Sequence, residues 1–177
     1  YYRFLEDNDI RSLKGEAVKG FGECDIANFL FKNGIEYQYE ATYDTPLQSP
    51  DRSTYCPDFY LPEYELYIEH FGTDRQGNTA PYIDRARYQA DMAWKRKVHQ
   101  TSETTLIETF HYEKQEGVLL DALKQKLIRA GVTLNPLPPE AVLETLREFG
   151  AISQFASILT DMLGLLRAAN LNDQELA

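Results

Sequence analysis

Residues 56–72 read Cys-Pro-Asp-Phe-Tyr-Leu-Pro-Glu-Tyr-Glu-Leu-Tyr-Ile-Glu-His-Phe-Gly, and they place one carboxylate, Asp58 or Glu69, in each of two short runs rich in aromatic and branched residues. Such runs, separated by a turn at Pro62, Glu63 and Tyr64, read as paired strands. With an even number of loop residues centred on Glu63 and Tyr64, Asp58 falls opposite Glu69. Side chains directly opposite one another share a face and stand about 5 Å apart, close enough to hold one divalent cation. An odd loop would put the two acids on opposite faces and remove the idea. The same spacing also serves an ordinary hairpin with charged residues on its wet face.

Other chemistries find less footing. Cys24, Cys56, His70, His99 and His111 lack the paired spacing of a zinc site. There is no G-x-x-x-x-G-K-[ST] loop for nucleotide phosphates and no G-x-S-x-G elbow for a serine nucleophile. The twelve tyrosines fall mostly at strand spacing, where core packing is the first reading and base stacking the second.

The elements that must position the two acids follow from periodicity. From Glu16, the residues Val18, Phe21, Ile26, Phe29 and Leu30 recur at helical spacing, with Asn33-Gly34 as a stop. Glu23 flanks that stripe, where it either snorkels to water or reaches the sheet edge as a third acid. Residues 35–43 alternate as a half-buried strand, and 44–54, with Pro46 and Pro50, read as a surface loop. After the hairpin come a turn-rich loop at 72–81 and a helix over 82–99. A strand at 104–109 and an amphipathic helix over 116–130 complete the series. That order predicts an α/β sandwich with a mixed sheet, occupying 16–132 behind a lead-in at 1–15.

Beyond it, 133–177 reads as a linker and helical extension, with helices over 139–149 and 151–169 and a truncated helix start over 170–176. The second helix carries Ile152, Phe155, Ile158, Leu159, Met162, Leu163, Leu165 and Leu166, an apolar surface broad enough to require a partner. The chain opens on Tyr1, and it is expected to be a piece of a longer protein.

Composition bounds the class. A hydrophobic fraction of 43% and a charged fraction of 26% over 177 residues are those of a soluble globular protein. No apolar run is long enough to cross a bilayer, no signal peptide is expected, and two scattered cysteines fit a reducing, cytoplasmic setting. The net charge of −10 counts against a nucleic-acid binder acting alone. A local basic patch, Arg85, Arg87, Lys95, Arg96 and Lys97, leaves room for a local DNA contact.

Several segments together carry a family resemblance. These are Lys19-Gly20-Phe21-Gly22-Glu23, Ile26-Ala27-Asn28-Phe29-Leu30, Asn33-Gly34-Ile35-Glu36-Tyr37, Pro57-Asp58-Phe59-Tyr60-Leu61-Pro62, Tyr67-Ile68-Glu69-His70-Phe71-Gly72, Trp94-Lys95-Arg96 and Leu106-Ile107-Glu108-Thr109. A helical acid, then Pro-Asp on one strand and Glu on the next, resembles the PD-(D/E)XK nuclease superfamily. More specifically, it resembles the nuclease-like segment of DNA helicase IV and related UvrD/Rep-type helicases, over about residues 14–132.

The resemblance implies a restriction-endonuclease-like fold, DNA as partner, and attachment to the remainder of a helicase polypeptide whose ATP site lies outside this chain. It implies Mg²⁺ (or Mn²⁺) held by Asp58 and Glu69, with Glu23 as the helical acid. The family's lysine, two residues after the second acid, is replaced here by Phe71, which neither orients water nor carries charge. Lys95 or Lys97 from the following helix is the substitute to examine. Three functions follow: a metal-dependent nuclease module of a helicase, an inactive DNA-contacting or structural module of the same setting, and a free-standing endonuclease.

Overall fold

A computed structural model describes residues 10–43, 54–148 and 150–168. The expectations for the first nine residues, for nearly all of the 44–54 loop and for 170–176 lie outside these.

The chain is α/β, with a four-stranded mixed sheet between helices. Two strands pair first, β1 (Ile10–Arg11) with β2 (Ala17–Val18), antiparallel and separate from the main sheet. Val18 therefore belongs to a strand and not to the helix that its spacing suggested. Gly20, extended at the N-cap, separates it from α1 (Phe21–Lys32). Glu23 in the first turn of α1 reaches back to accept a hydrogen bond from Lys19 N at 3.1 Å, and a carboxylate here also meets the positive end of the helix dipole. Gly34 closes the helix at φ +65°, and a side chain there would also strike the Asn135 carbonyl oxygen.

The main sheet has the order β3 (Gln38–Tyr39), β4 (Phe59–Leu61), β5 (Leu66–Phe71), β6 (Thr105–Phe110). The 35–43 segment alternates buried and exposed as expected. Its ladder is cut to two residues because Glu40 turns to φ 50°. Strands β3, β4 and β5 are antiparallel; β5 and β6 run parallel, joined by the crossover helix α2 (Arg85–Thr101). Asp84 caps α2 by accepting from Arg87 N at 3.0 Å. The predicted 116–130 helix is α4 (Leu119–Arg129), preceded by a short helix the periodicity did not show, α3 (His111–Gln115), and the two are locked together where Lys126 meets the buried Glu113 at 2.7 Å.

The two faces of the sheet have different contents. Phe59, Leu61, Leu66, Ile68 and Ile107 point to one side and pack against Ile26 and Leu30 of α1 and Leu119, Leu123 and Leu127 of α4. Tyr67, Glu69 and Phe71 point to the other, which α2 covers through Met92, Trp94, Lys95, Val98 and His99.

The segment after Val132 is tied down: Thr133 N reaches Tyr64 Oη at 3.3 Å, and Asn135 N and Leu137 N donate to the carbonyls of Asn33 and Lys32 at 2.8 Å. Helices α5 (Pro139–Glu148) and α6 (Ala151–Ala168) follow and contact each other. Phe155, Ile158, Met162, Leu163 and Leu165 of α6 stay more than half exposed. Among the described residues, no helix is long and apolar enough to cross a membrane.

Candidate functional site

The turn between β4 and β5 holds four residues, since Leu61 pairs with Leu66 and Phe59 with Ile68. Continuing that register by one step sets Asp58 opposite Glu69, on the α2 face. Glu69 is almost fully buried, at 1% exposure. Both of its oxygens are engaged: Tyr55 Oη donates to Oε1 at 2.7 Å, and Lys95 Nζ lies 2.5 Å from Oε2. A carboxylate without such partners would be costly at this depth.

Lys95 reaches Glu69 across the ring of Phe71, with its ammonium 5.6 Å from that ring's centroid and equally far from the ring of Tyr55. Phe71 occupies the strand position two residues past Glu69, so the cation stands over that position from the neighbouring helix. Lys97 is exposed instead. A cavity of about 130 Å³ opens beside Lys95, lined by Phe71, Tyr88, Asp91 and Met92.

Asp58 is half-buried and accepts from His70 N at 2.6 Å through Oδ2; among the described residues no donor reaches its Oδ1. Burial, with the Glu69 and Glu23 carboxylates nearby, pushes its pKa up to about 8. Burial also raises Glu69, against the pull of Lys95 and Tyr55. Glu23 accepts from Tyr39 Oη and from Lys19 N, and its charge acts on both other acids.

Three carboxylates thus bear on one region with a single ammonium seated on one of them. That donor set, all hard oxygens with an acceptor left over on Asp58, suits Mg²⁺. Among the described residues, no group of three His, Cys, Asp or Glu side chains is arranged to hold a metal.

The remaining residues singled out from the sequence lie elsewhere. His70 faces the α1 side, where Nδ1 meets Thr109 Oγ1 at 2.9 Å and a side chain on Gly22 would collide with its ring. Burial lowers its pKa to about 4. Glu108 is paired with Arg96 through two bonds of 2.5 and 2.7 Å. Of the basic patch, then, Lys95 and Arg96 are held in ion pairs, while Arg85, Arg87 and Lys97 are exposed.

Tyr55, Tyr39 and Tyr43 are neighbours of these acids that spacing could not reveal. Tyr55 reaches Glu69 from a loop, held by an isolated bridge to Tyr43. Only its position three residues ahead of Asp58 hinted at proximity. Comparison of the chain with protein-family models, curated proteins and solved structures finds no match.

Proposed function

We propose that this chain is a DNA-acting module of the PD-(D/E)XK type, set within a DNA helicase, in which Asp58 and Glu69 hold Mg²⁺ and Lys95 takes the part of the strand lysine. One observation carries the reading: Lys95 Nζ lies 2.5 Å from Glu69 Oε2, over the ring of Phe71. The sequence had removed the lysine from its usual position; the helix returns an ammonium to the same side of the same acid.

Mg²⁺, when bound, polarises a phosphoryl oxygen and makes bound water more acidic. The chain's own residues do the rest. Asp58 offers the carboxylate oxygen that lacks a protein donor, and Glu69 is held in one orientation by Tyr55. Lys95 places positive charge where a phosphodiester gains negative charge. Glu23 adds a negative charge that favours cation entry. The exposed cations Arg85, Arg87 and Lys97 on α2 offer a local contact to the DNA backbone in an otherwise acidic chain. The broad apolar arc of α6 supports attachment to further helicase sequence and disfavours a free-standing endonuclease.

The engagement of both Glu69 oxygens by protein donors favours a second reading, an inactive module in which the Glu69–Lys95 pair only holds α2 to the sheet. Incubation of the purified chain with single- and double-stranded DNA and Mg²⁺ or Mn²⁺ separates the two. The first reading expects cleavage that Asp58→Ala and Glu69→Ala abolish and that Lys95→Ala lowers by about a hundredfold. Absence of cleavage, together with Mn²⁺ binding that ignores Asp58 and Glu69, would leave the inactive module.

A further inference from the structure

Behind Glu69 lies a line of hydrogen bonds that the proposed reaction does not itself require. Tyr55 Oη is 2.7 Å from Glu69 Oε1 and 3.1 Å from His99 Nε2; His99 Nδ1 is 2.8 Å from Thr104 Oγ1, which is 2.9 Å from Tyr43 Oη. Tyr43 and Tyr55 lie in the connection between β3 and β4, His99 near the end of α2 and Thr104 just before β6. The rings of Tyr43, Tyr55, Tyr67 and Trp94 close around them, with Tyr43 and His99 centroids 4.8 Å apart and Tyr55 and Trp94 centroids 5.4 Å apart. His99 itself is 2% exposed.

The donors in this line can be assigned in sequence from one end. An ionised carboxylate only accepts, so Tyr55 must donate to Glu69. The Tyr55 hydroxyl has then spent its proton, and its oxygen can meet His99 only by accepting from Nε2–H. Burial keeps the imidazole neutral, its pKa lowered to about 4, so it carries one N–H and Nδ1 is an acceptor. Thr104 therefore donates to Nδ1, and Tyr43 donates to Thr104. Every bond in the line points toward Glu69.

We infer that Tyr55 is a positioning residue for Glu69, and that His99, held as the Nε2–H tautomer by Thr104 and Tyr43, is the positioning residue for Tyr55. Outer partners of this kind fix which lone pair of a ligating carboxylate is offered and how basic it is. Tyr55 and Lys95 take one oxygen each, so the line limits the orientations Glu69 can adopt toward a cation shared with Asp58. The inference rests on the metal reading proposed above for Glu69. Its geometry does not.

The test combines two measurements on the full chain: Mn²⁺ affinity by calorimetry at neutral pH, and long-range ¹⁵N–¹H correlation of the histidine rings. Near-ultraviolet circular dichroism of each variant confirms that the aromatic cluster is intact. Tyr55→Phe keeps the ring and removes the hydroxyl. His99→Gln keeps an N–H near the Nε2 position, and His99→Leu keeps only bulk. The expected result is a proton on Nε2 and not on Nδ1 of His99, with Mn²⁺ affinity about tenfold lower in Tyr55→Phe and His99→Leu. His99→Gln should stay within about twofold of the starting chain.

A proton on Nδ1, or Tyr55→Phe binding Mn²⁺ as the starting chain does, overturns the inference. So does equal loss in His99→Gln and His99→Leu, which would show packing alone. Asp58→Asn distinguishes the underlying reading. If it leaves Mn²⁺ affinity unchanged, or if the starting chain binds no Mn²⁺, the metal reading falls. The positioning of Glu69 is then decided by the ring proton alone, Nε2 supporting it and Nδ1 overturning it.

Discussion

The two faces of the central sheet are built on opposite principles. The face toward α1 and α4 is filled by Phe59, Leu61, Ile68, Ile26, Leu30, Leu123 and Leu127, nearly all without exposure, and its cohesion comes from apolar burial. The face toward α2 buries Glu69 and His99 among tyrosines, so its cohesion depends on each polar atom meeting its partner. Apolar packing is indifferent to pH, while a buried carboxylate and its ammonium are not. Strand β5 serves both: alternate residues of its six feed a sealed core on one side and a charged site on the other.

The largest expected effect tests the sealed face. Phe59→Ala should cost about 4 kcal/mol in urea denaturation, by the same amount at pH 5 and at pH 8. A pH-dependent loss would show that this face carries charge as well. Next, Lys95→Met should cost about 3 kcal/mol at neutral pH, because it leaves Glu69 buried and ionised without a counter-charge. Toward pH 4 that cost should shrink, since Glu69, already raised by burial, then takes up a proton. An equal loss at both pH values would mean that Lys95 matters as packing and not as charge.

Asp58 gives an effect of opposite sign. Its folded pKa of about 8 lies above the ordinary value of 3.8, so ionisation opposes folding. The penalty is absent below pH 3.8, grows between 3.8 and 8, and is complete above that. Asp58→Asn should therefore stabilise the chain by about 2 kcal/mol at pH 8.5 and by little at pH 4, as thermal melts at the two pH values would show. Mg²⁺ should raise the melting temperature of the starting chain at pH 8.5 and not that of Asp58→Asn.

The smallest effect concerns a feature both faces share, a neutral histidine, buried at His99 and half-buried at His70. His70 and His99 are lowered from 6.5 to about 4, so each contributes stability that is present above pH 6.5 and lost as pH falls through 4. His99→Gln should reduce the acid-side loss by about 1 kcal/mol and leave that of His70 in place, as urea denaturation at pH 4 and 7 would show.

Much of the sheet was legible because its signals are local. Alternation along 66–71 assigns Tyr67, Glu69 and Phe71 to one side, whereas the pairing of Asp58 with Glu69 hung on the parity of the turn, which the residues left open and the four-residue turn decides. The mixed order of strands followed from the helix between β5 and β6. Boundaries were lost where one residue overrides a pattern: Gly20 splits Val18 from α1, and Glu40 at positive φ ends β3 early. The surroundings of Glu69 were not legible. Tyr55 and His99 are 44 positions apart and meet only because a crossover folds α2 over the sheet, which no periodicity encodes. Lys95 was visible as a substitute for the missing strand lysine only through the family pattern. The same sequence gave no way to choose it over Lys97, which points to water.

The crossover through α2 also sets an order of assembly. The β4–β5 hairpin closes over four residues, whereas β5 can pair with β6 only after the intervening chain, including α2, is available. Closing long loops is the slow step for such topologies. Glu69 leaves the ribosome well before Lys95, His99 and Thr104. Until those residues arrive, the carboxylate belongs to a two-sided hairpin and stays solvated. The charged face therefore matures only when α2 docks, which the short contact between Lys95 and Glu69 marks, while the apolar face waits in turn for α4.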